Sequence, residues 1–211
     1  MSQSDLFSAP AGGDVADIGP NTTVAALKEA AEGCTRCDLY RNATQVVFSE
    51  GPADVRLMFV GEAPGDQEDR QGRPFVGPAG QLFDRALLDA GIDRASVYLT
   101  NAVKHFKFEP RGRRRIHAKP DNSEIAACNY WLVRELAVLK PATVVALGAT
   151  AGQAVTGRRV AVMKERGTMA RDERGFDILF TVHPSFLLRL PDERSKAAAY
   201  EAFVADLKKV A

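Results

Sequence analysis

The chain has 211 residues, 45% of them hydrophobic and 26% charged, and a formal net charge of +1. These proportions describe a globular protein long enough for a proper core, and no stretch approaches the roughly 20 apolar residues of a membrane span. A balance this close to neutral excludes nucleic-acid binding through overall basicity, so any such affinity must come from local clusters of charge.

Residues 1–20 are rich in Ser, Ala, Gly and Pro and carry Asp5, Asp14 and Asp17. They read as a flexible tail, without the apolar run of a signal peptide, ahead of one domain over 21–211. A cytoplasmic location is expected, where the thiols stay reduced. The pattern then predicts a helix over 23–32, a buried strand over 55–61, and a helix over 78–90 closed by Gly91. A strand follows over 96–103. Asp121 and Glu124 have capping-box spacing at the head of a long helix reaching about residue 139. Next come a strand over 143–148, a short helix ending near Gly157, a strand over 177–182, and a closing amphipathic helix over 191–210. Apolar strands alternating with helices predict an α/β fold. It is a three-layer αβα arrangement around a mainly parallel four-stranded sheet.

Polar residues gather where such a sheet binds ligands. Gly61-Glu62, Asn101, Gly148 and His183 each stand at the C-terminal end of a predicted strand. The turn Gly61-Glu62-Ala63-Pro64-Gly65-Asp66-Gln67-Glu68-Asp69 brings several carboxyl groups to that edge. Farther along, Lys104, Lys107, Arg111, Arg113, Arg114, Arg115 and Lys119 fall in one short segment, with His117 among them. A cationic loop fits a polyanion, and carboxyl groups can stabilise a developing cation. Together they predict chemistry on a nucleic acid.

Cys34 and Cys37 form a CxxC pair, and Cys128 is the third thiol. The pair follows a predicted helix, not the strand-to-helix context of a redox motif. Four-ligand metal sites need one more donor, and His105 is the natural candidate. By ligand type, zinc and an iron–sulfur cluster are both allowed.

Four segments then carry a resemblance: Gly61 to Asp69, Pro74-Phe75-Val76-Gly77-Pro78-Ala79-Gly80, Asn101-Ala102-Val103-Lys104 and His183-Pro184-Ser185. Over roughly residues 30–207 the chain resembles the iron–sulfur uracil-DNA glycosylases. Ordinary members carry a cysteine ligand where His105 stands here. That replacement, with the Arg-Arg-Ile-His run ending at His117, is similar to the UdgX branch, whose members excise uracil and stay joined to DNA through this histidine. Ala63 departs from that branch, which usually has Gln there, and matches the ordinary enzymes.

The resemblance implies a 4Fe-4S cluster on Cys34, Cys37, His105 and Cys128. It implies a uracil-containing DNA substrate, single-stranded by preference, no membrane partner, and a monomeric, single-turnover enzyme. Phe75 would stack on uracil, and Asn101 would accept from N3–H and donate to O4, a polarity that cytosine reverses. His183 would donate to O2 as charge develops, and Glu62 and Asp66 would support the oxocarbenium-like sugar. Gly61, Ala63, Gly65 and Ser185 complete the uracil contacts. Arg111, Arg113, Arg114, Arg115, Lys119 and Arg189 would hold phosphates. Four arginines around His117 should keep its imidazole neutral, free to attack C1′. Two competing readings are an ordinary multiple-turnover glycosylase and a non-catalytic module that binds uracil-bearing DNA.

Overall fold

The structure, a computed structural model, describes Gly19 and residues 22–211. Apart from Gly19, the expected tail lies outside the described residues. The first helix, α1 (Val24–Glu32), begins where the Thr23 hydroxyl accepts from the Ala26 N–H, a cap that satisfies one orphan donor of the first turn.

The sheet is built from β1 (Ser49–Glu50), β2 (Leu57–Gly61), β3 (Tyr98–Asn101), β6 (Thr143–Leu147), β7 (Met169–Arg171) and β8 (Asp177–Thr181). Between β3 and β6, a separate two-stranded sheet is formed by β4 (Phe108–Arg111) and β5 (Arg114–His117). The spatial order of the main sheet is β1-β3-β2-β6-β8-β7. The four inner strands are mutually parallel, as the four-stranded expectation requires. The two edge strands are antiparallel additions that the pattern did not announce. β1 is only two residues long and β7 is exposed, so neither shows a hydrophobic run.

Pleating divides each inner strand between two cores. Met58 and Val60, Val144 and Ala146, and Ile178 and Phe180 face one side. There they meet α1, α4 (Asn122–Leu139) and α5 (Ala149–Thr156) through Leu27, Trp131, Leu132 and Val155. Phe59, Val145, Leu147 and Leu179 face the other side. That core is closed by α3 (Pro78–Ala90), α7 (Pro184–Leu188) and α8 (Glu193–Leu207) through Phe83, Leu87, Leu187 and Phe203. Strands buried on both faces need apolar residues at every position, which is why they read as unbroken runs.

The predicted helix signals are realised in atomic detail. Gly91 closes α3 in the left-handed conformation, with φ 79°. At the head of α4 the Asp121 side chain accepts from the Ser123 and Glu124 N–H groups, and Glu124 accepts in return from the Asp121 N–H. Three helices lie where the pattern announces none: α2 (Asp66–Gln71) within the acidic turn, the one-turn α6 (Val162–Glu165), and α7. The arginine-rich loop is also regular: it is the β4–β5 hairpin, pairing Phe108 with His117 and turning at Gly112, with φ 60°. No helix among the described residues is long and apolar enough to cross a membrane.

Candidate active site

Parallel strands end together, so the residues that follow them converge. Gly61 ends β2 opposite Asn101 at the end of β3. A Cβ at Gly61 would lie 2.2 Å from Asn101 Oδ1 and 2.8 Å from Phe75 Cζ, so only glycine lets the amide and the ring close over this strand end. Phe75 itself holds φ 57°, an uncommon conformation for a bulky residue. Its backbone is pinned against α3, where a Cβ at Gly80 would fall 1.9 Å from the Phe75 carbonyl oxygen.

The result is a cavity of about 440 Å³ at the C-terminal edge of the sheet. Glu62, Ala63, Gly65, Asp66, Phe75, Asn101, His117, His183, Ser185 and Arg189 all line it. Gly61 lies buried directly behind. Most of the residues proposed from the sequence for base and sugar chemistry are therefore brought together. Arg111, Arg113, Arg114 and Lys119 are exposed outside the cavity.

His183 caps α7. Its Nδ1 accepts from the Ser185 N–H at 3.2 Å and sits 2.8 Å from Ser185 Oγ. Burial pushes its pKa down to about 4, so the ring is neutral at ordinary pH. With Nδ1 accepting, the proton resides on Nε2, which becomes a donor. Asn101 is 3% exposed, and its amide makes no side-chain hydrogen bond among the described residues.

Glu62 accepts a hydrogen bond from the buried Thr150 hydroxyl, at the first turn of α5. Thr150 escaped the sequence reading, because a threonine in a helix carries no distinguishing mark. Glu68 escaped it too: it is 9% exposed and accepts from the Gly65 N–H at 3.2 Å and the Gly77 N–H at 2.8 Å. The capping-box spacing of Gly65 and Glu68 is the signal that could have found it.

His117 lines the cavity at its rim and is exposed to solvent, with its ring centroid 6.1 Å from that of Phe106. Its pKa is lowered, as expected, but not by the hairpin's arginines. Burial is the main cause; Glu62 opposes it, Arg189 adds to it, and Glu68 opposes it again. Arg115 has turned elsewhere. Its Nε donates to Asp66 Oδ1 and its Nη1 to Asp69 Oδ2, each at 2.6 Å, and its guanidinium lies about 5 Å over both Phe106 and Phe108. Arg115 thus clasps the hairpin to α2, where a phosphate contact had been expected. Asp66 is engaged by Arg70 as well, and the Arg70 hydrogen bond is the main reason its carboxyl titrates below the usual range. Of the two acids assigned to the sugar cation, Glu62 is the one without a guanidinium partner.

The thiols lie on the other core. Cys128 is buried on α4, with Cys34 and Cys37 packed against the same cluster. Burial pushes the Cys128 pKa to about 12, and charge on Cys37 or Cys34 would push it further. Trp131 Nε1 donates to Cys34 Sγ at 3.2 Å, and the Lys104 N–H to Cys128 Sγ at 3.1 Å. His105 is 4% exposed, and its Nδ1 is buried without a partner. Protein interiors rarely leave such an atom unpaired. Three thiols on one core cluster and an orphaned imidazole nitrogen fit the donor chemistry of a metal–sulfur group. Among the described residues, however, no three His, Cys, Asp or Glu side chains adopt the spacing of a metal site.

Comparison with known proteins bears on this arrangement. The Type-4 uracil-DNA glycosylase of Thermotoga maritima is 42% identical over 164 residues, which is 77% of this chain and 82% of that protein. The Type-4 enzyme of Pyrobaculum aerophilum is 34% identical over 181 residues, 81% of this chain and 87% of that protein. That of Archaeoglobus fulgidus is 32% identical over 184 residues, covering 84% and 86%. The family model described as the uracil DNA glycosylase superfamily matches residues 48–208, a span that contains the whole cavity, and the chain belongs to that superfamily.

Proposed function

We propose that this chain excises uracil from DNA and then remains bonded to the abasic sugar through His117. The observation that carries the reading is the convergence of Asn101, Glu62, His183 and His117 on one cavity walled by Phe75.

A uracil turned out of the stack would lie against Phe75, with the Asn101 amide on its N3–H and O4. Cytosine would leave two desolvated polar groups unpaired, each costing roughly 1–3 kcal/mol. As the C1′–N1 bond breaks, the base leaves with the bonding electrons. The His183 Nε2–H is the donor available to O2 as that charge grows, and Glu62, held by Thr150, faces the sugar cation. His117, neutral because its surroundings disfavour charge, offers a lone pair to C1′. The new C–N bond makes an imidazolium, which loses its remaining N–H proton, and the uracil anion takes up a proton. Such a bond has no easy leaving path, so turnover stops. Arg111, Arg113, Arg114, Lys119 and Arg189 are assigned to phosphates on both sides of the lesion, with single-stranded DNA the preferred form and one protomer acting alone.

Cys34, Cys37, His105 and Cys128 are assigned to a 4Fe-4S cluster. When bound, it would cross-link the CxxC segment to α4 and to the segment after β3. The residues that favour the covalent branch are His105 and the hairpin ending in His117.

A second reading, multiple-turnover release of an abasic product by water, is favoured by Ala63 and by the Type-4 relatives. Counting uracil released per protein molecule, with substrate in large excess, separates the two. The proposal expects a plateau at one; steady release beyond one selects turnover, and no uracil at all leaves only a binding module.

A further inference from the structure

The two walls of the cavity belong to different loops, and one side chain joins them. The turn after β2 supplies Gly65, and the segment before α3 supplies Phe75 and Gly77. Glu68 reaches both, with Oε2 on the Gly65 N–H and Oε1 on the Gly77 N–H. It also lines the cavity. Both glycines close tightly on it, since a Cβ at Gly65 would lie 2.8 Å from Oε2 and one at Gly77 would lie 3.0 Å from Oε1. Two residues before Gly77 stands Phe75, held at φ 57°. That left-handed conformation carries a local cost and persists only where the surroundings over-determine it. The Gly80 contact fixes Phe75 from the helix side. Glu68 fixes the same segment from the side of the turn.

We propose that Glu68 is a positioning residue that sets the width of the slot between the Gly61–Gly65 turn and the Phe75 ring, and so the fit of a flat pyrimidine. The inference rests on the uracil-excision reading above. Removing the bridge frees two backbone N–H groups that then seek other partners, and the walls lose their common reference. A displacement near 1 Å at a site of this kind costs roughly 10²-fold.

The test compares wild type, Glu68→Ala and Glu68→Gln in single-turnover excision at increasing protein concentration, with free uracil as inhibitor and a uracil-free strand as a binding control. Glu68→Ala should lower the ratio of maximal rate to half-saturating concentration by roughly 10²-fold. It should also raise the uracil concentration needed for half inhibition by roughly tenfold, about the worth of one hydrogen bond of 1.4 kcal/mol. Affinity for the uracil-free strand should not change. Glu68→Gln keeps the volume and one acceptor oxygen, so it should fall between the two, and it carries the test if the alanine variant does not fold. A residue that only stabilised the fold would reduce the active fraction and leave uracil inhibition at the wild-type value. That result in either folded variant overturns the proposal alone. A wild-type chain that leaves uracil in place overturns the excision reading and this inference together.

Discussion

Truncating Arg115 to alanine should separate base excision from covalent capture. The Arg115 side chain is 17% exposed, and its guanidinium joins Asp69, whose side chain is fully buried, and Asp66, whose side chain is 38% exposed. Breaking a fully buried pair costs roughly 3–5 kcal/mol, and an exposed pair contributes only about 0–1. In the variant, Asp69 would keep the Thr44 N–H at 2.9 Å and the Thr44 hydroxyl, which offsets part of the loss. Cation–π contact with Phe106 and Phe108 adds roughly 0.5–1 kcal/mol to it. A loss of about 3 kcal/mol in hairpin docking follows, and each 1.4 kcal/mol is tenfold in population. Capture by His117, two residues along the same strand, should therefore slow by roughly 10²-fold. Excision should fall less than about tenfold, because Phe75, Asn101 and His183 stand on other elements. The hairpin is a separate two-stranded sheet, so the effect is local, and the melting midpoint should move little. Single-turnover uracil release and adduct formation, measured on the same samples, give the two rates. If they fall in parallel, or if capture is unchanged in R115A, the hairpin does not deliver the histidine.

Three further outcomes are expected. The His117 pKa lies below its ordinary value of 6.5, chiefly through burial. The neutral form therefore dominates at and above neutral pH, so the capture rate should be flat from pH 7 upward and decline only on the acid side of 6.5; a rise continuing through pH 8 contradicts this assignment. Gly61→Ala should abolish excision by driving a Cβ into Asn101 and Phe75, whereas Gly33→Ala, with nothing within 4 Å, should behave as wild type in the same assay. Cys128→Ser should lose bound iron and the cluster's visible absorbance, and it should melt earlier; an unchanged iron content refutes the ligand set.

What the sequence disclosed follows from how each element is buried. Residues such as Val144 to Leu147 are sandwiched between two cores, so their runs are unbroken and their strands were legible. Ser49 and Glu50, or Met169 to Arg171, pair only along a sheet edge and carry no such pattern. The hairpin stayed hidden for a related reason: its residues are mostly exposed, and only Gly112 marks the turn. A strand exposed at three of its four residues shows no hydrophobic alternation in the sequence. Arg115 shares a face with His117 and Arg114 does not, which is why one arginine became a clasp and the expected ring of charge did not form. The motif residues at strand ends were found because topology alone brings them to one edge. Thr150 meets Glu62 across distant segments, which no local spacing records, and the spacing that marks Glu68 as a partner of Gly65 says nothing of its second bond, to Gly77.

A bond between the His117 imidazole and C1′ is read directly by intact mass spectrometry under denaturing conditions. After incubation with a uracil-containing single strand, one new species should form whose mass is protein plus oligonucleotide minus uracil, with fragmentation placing the attachment on His117 and none formed by His117→Ala. An unmodified protein beside a free abasic strand, or an adduct mapped to another residue, would contradict it.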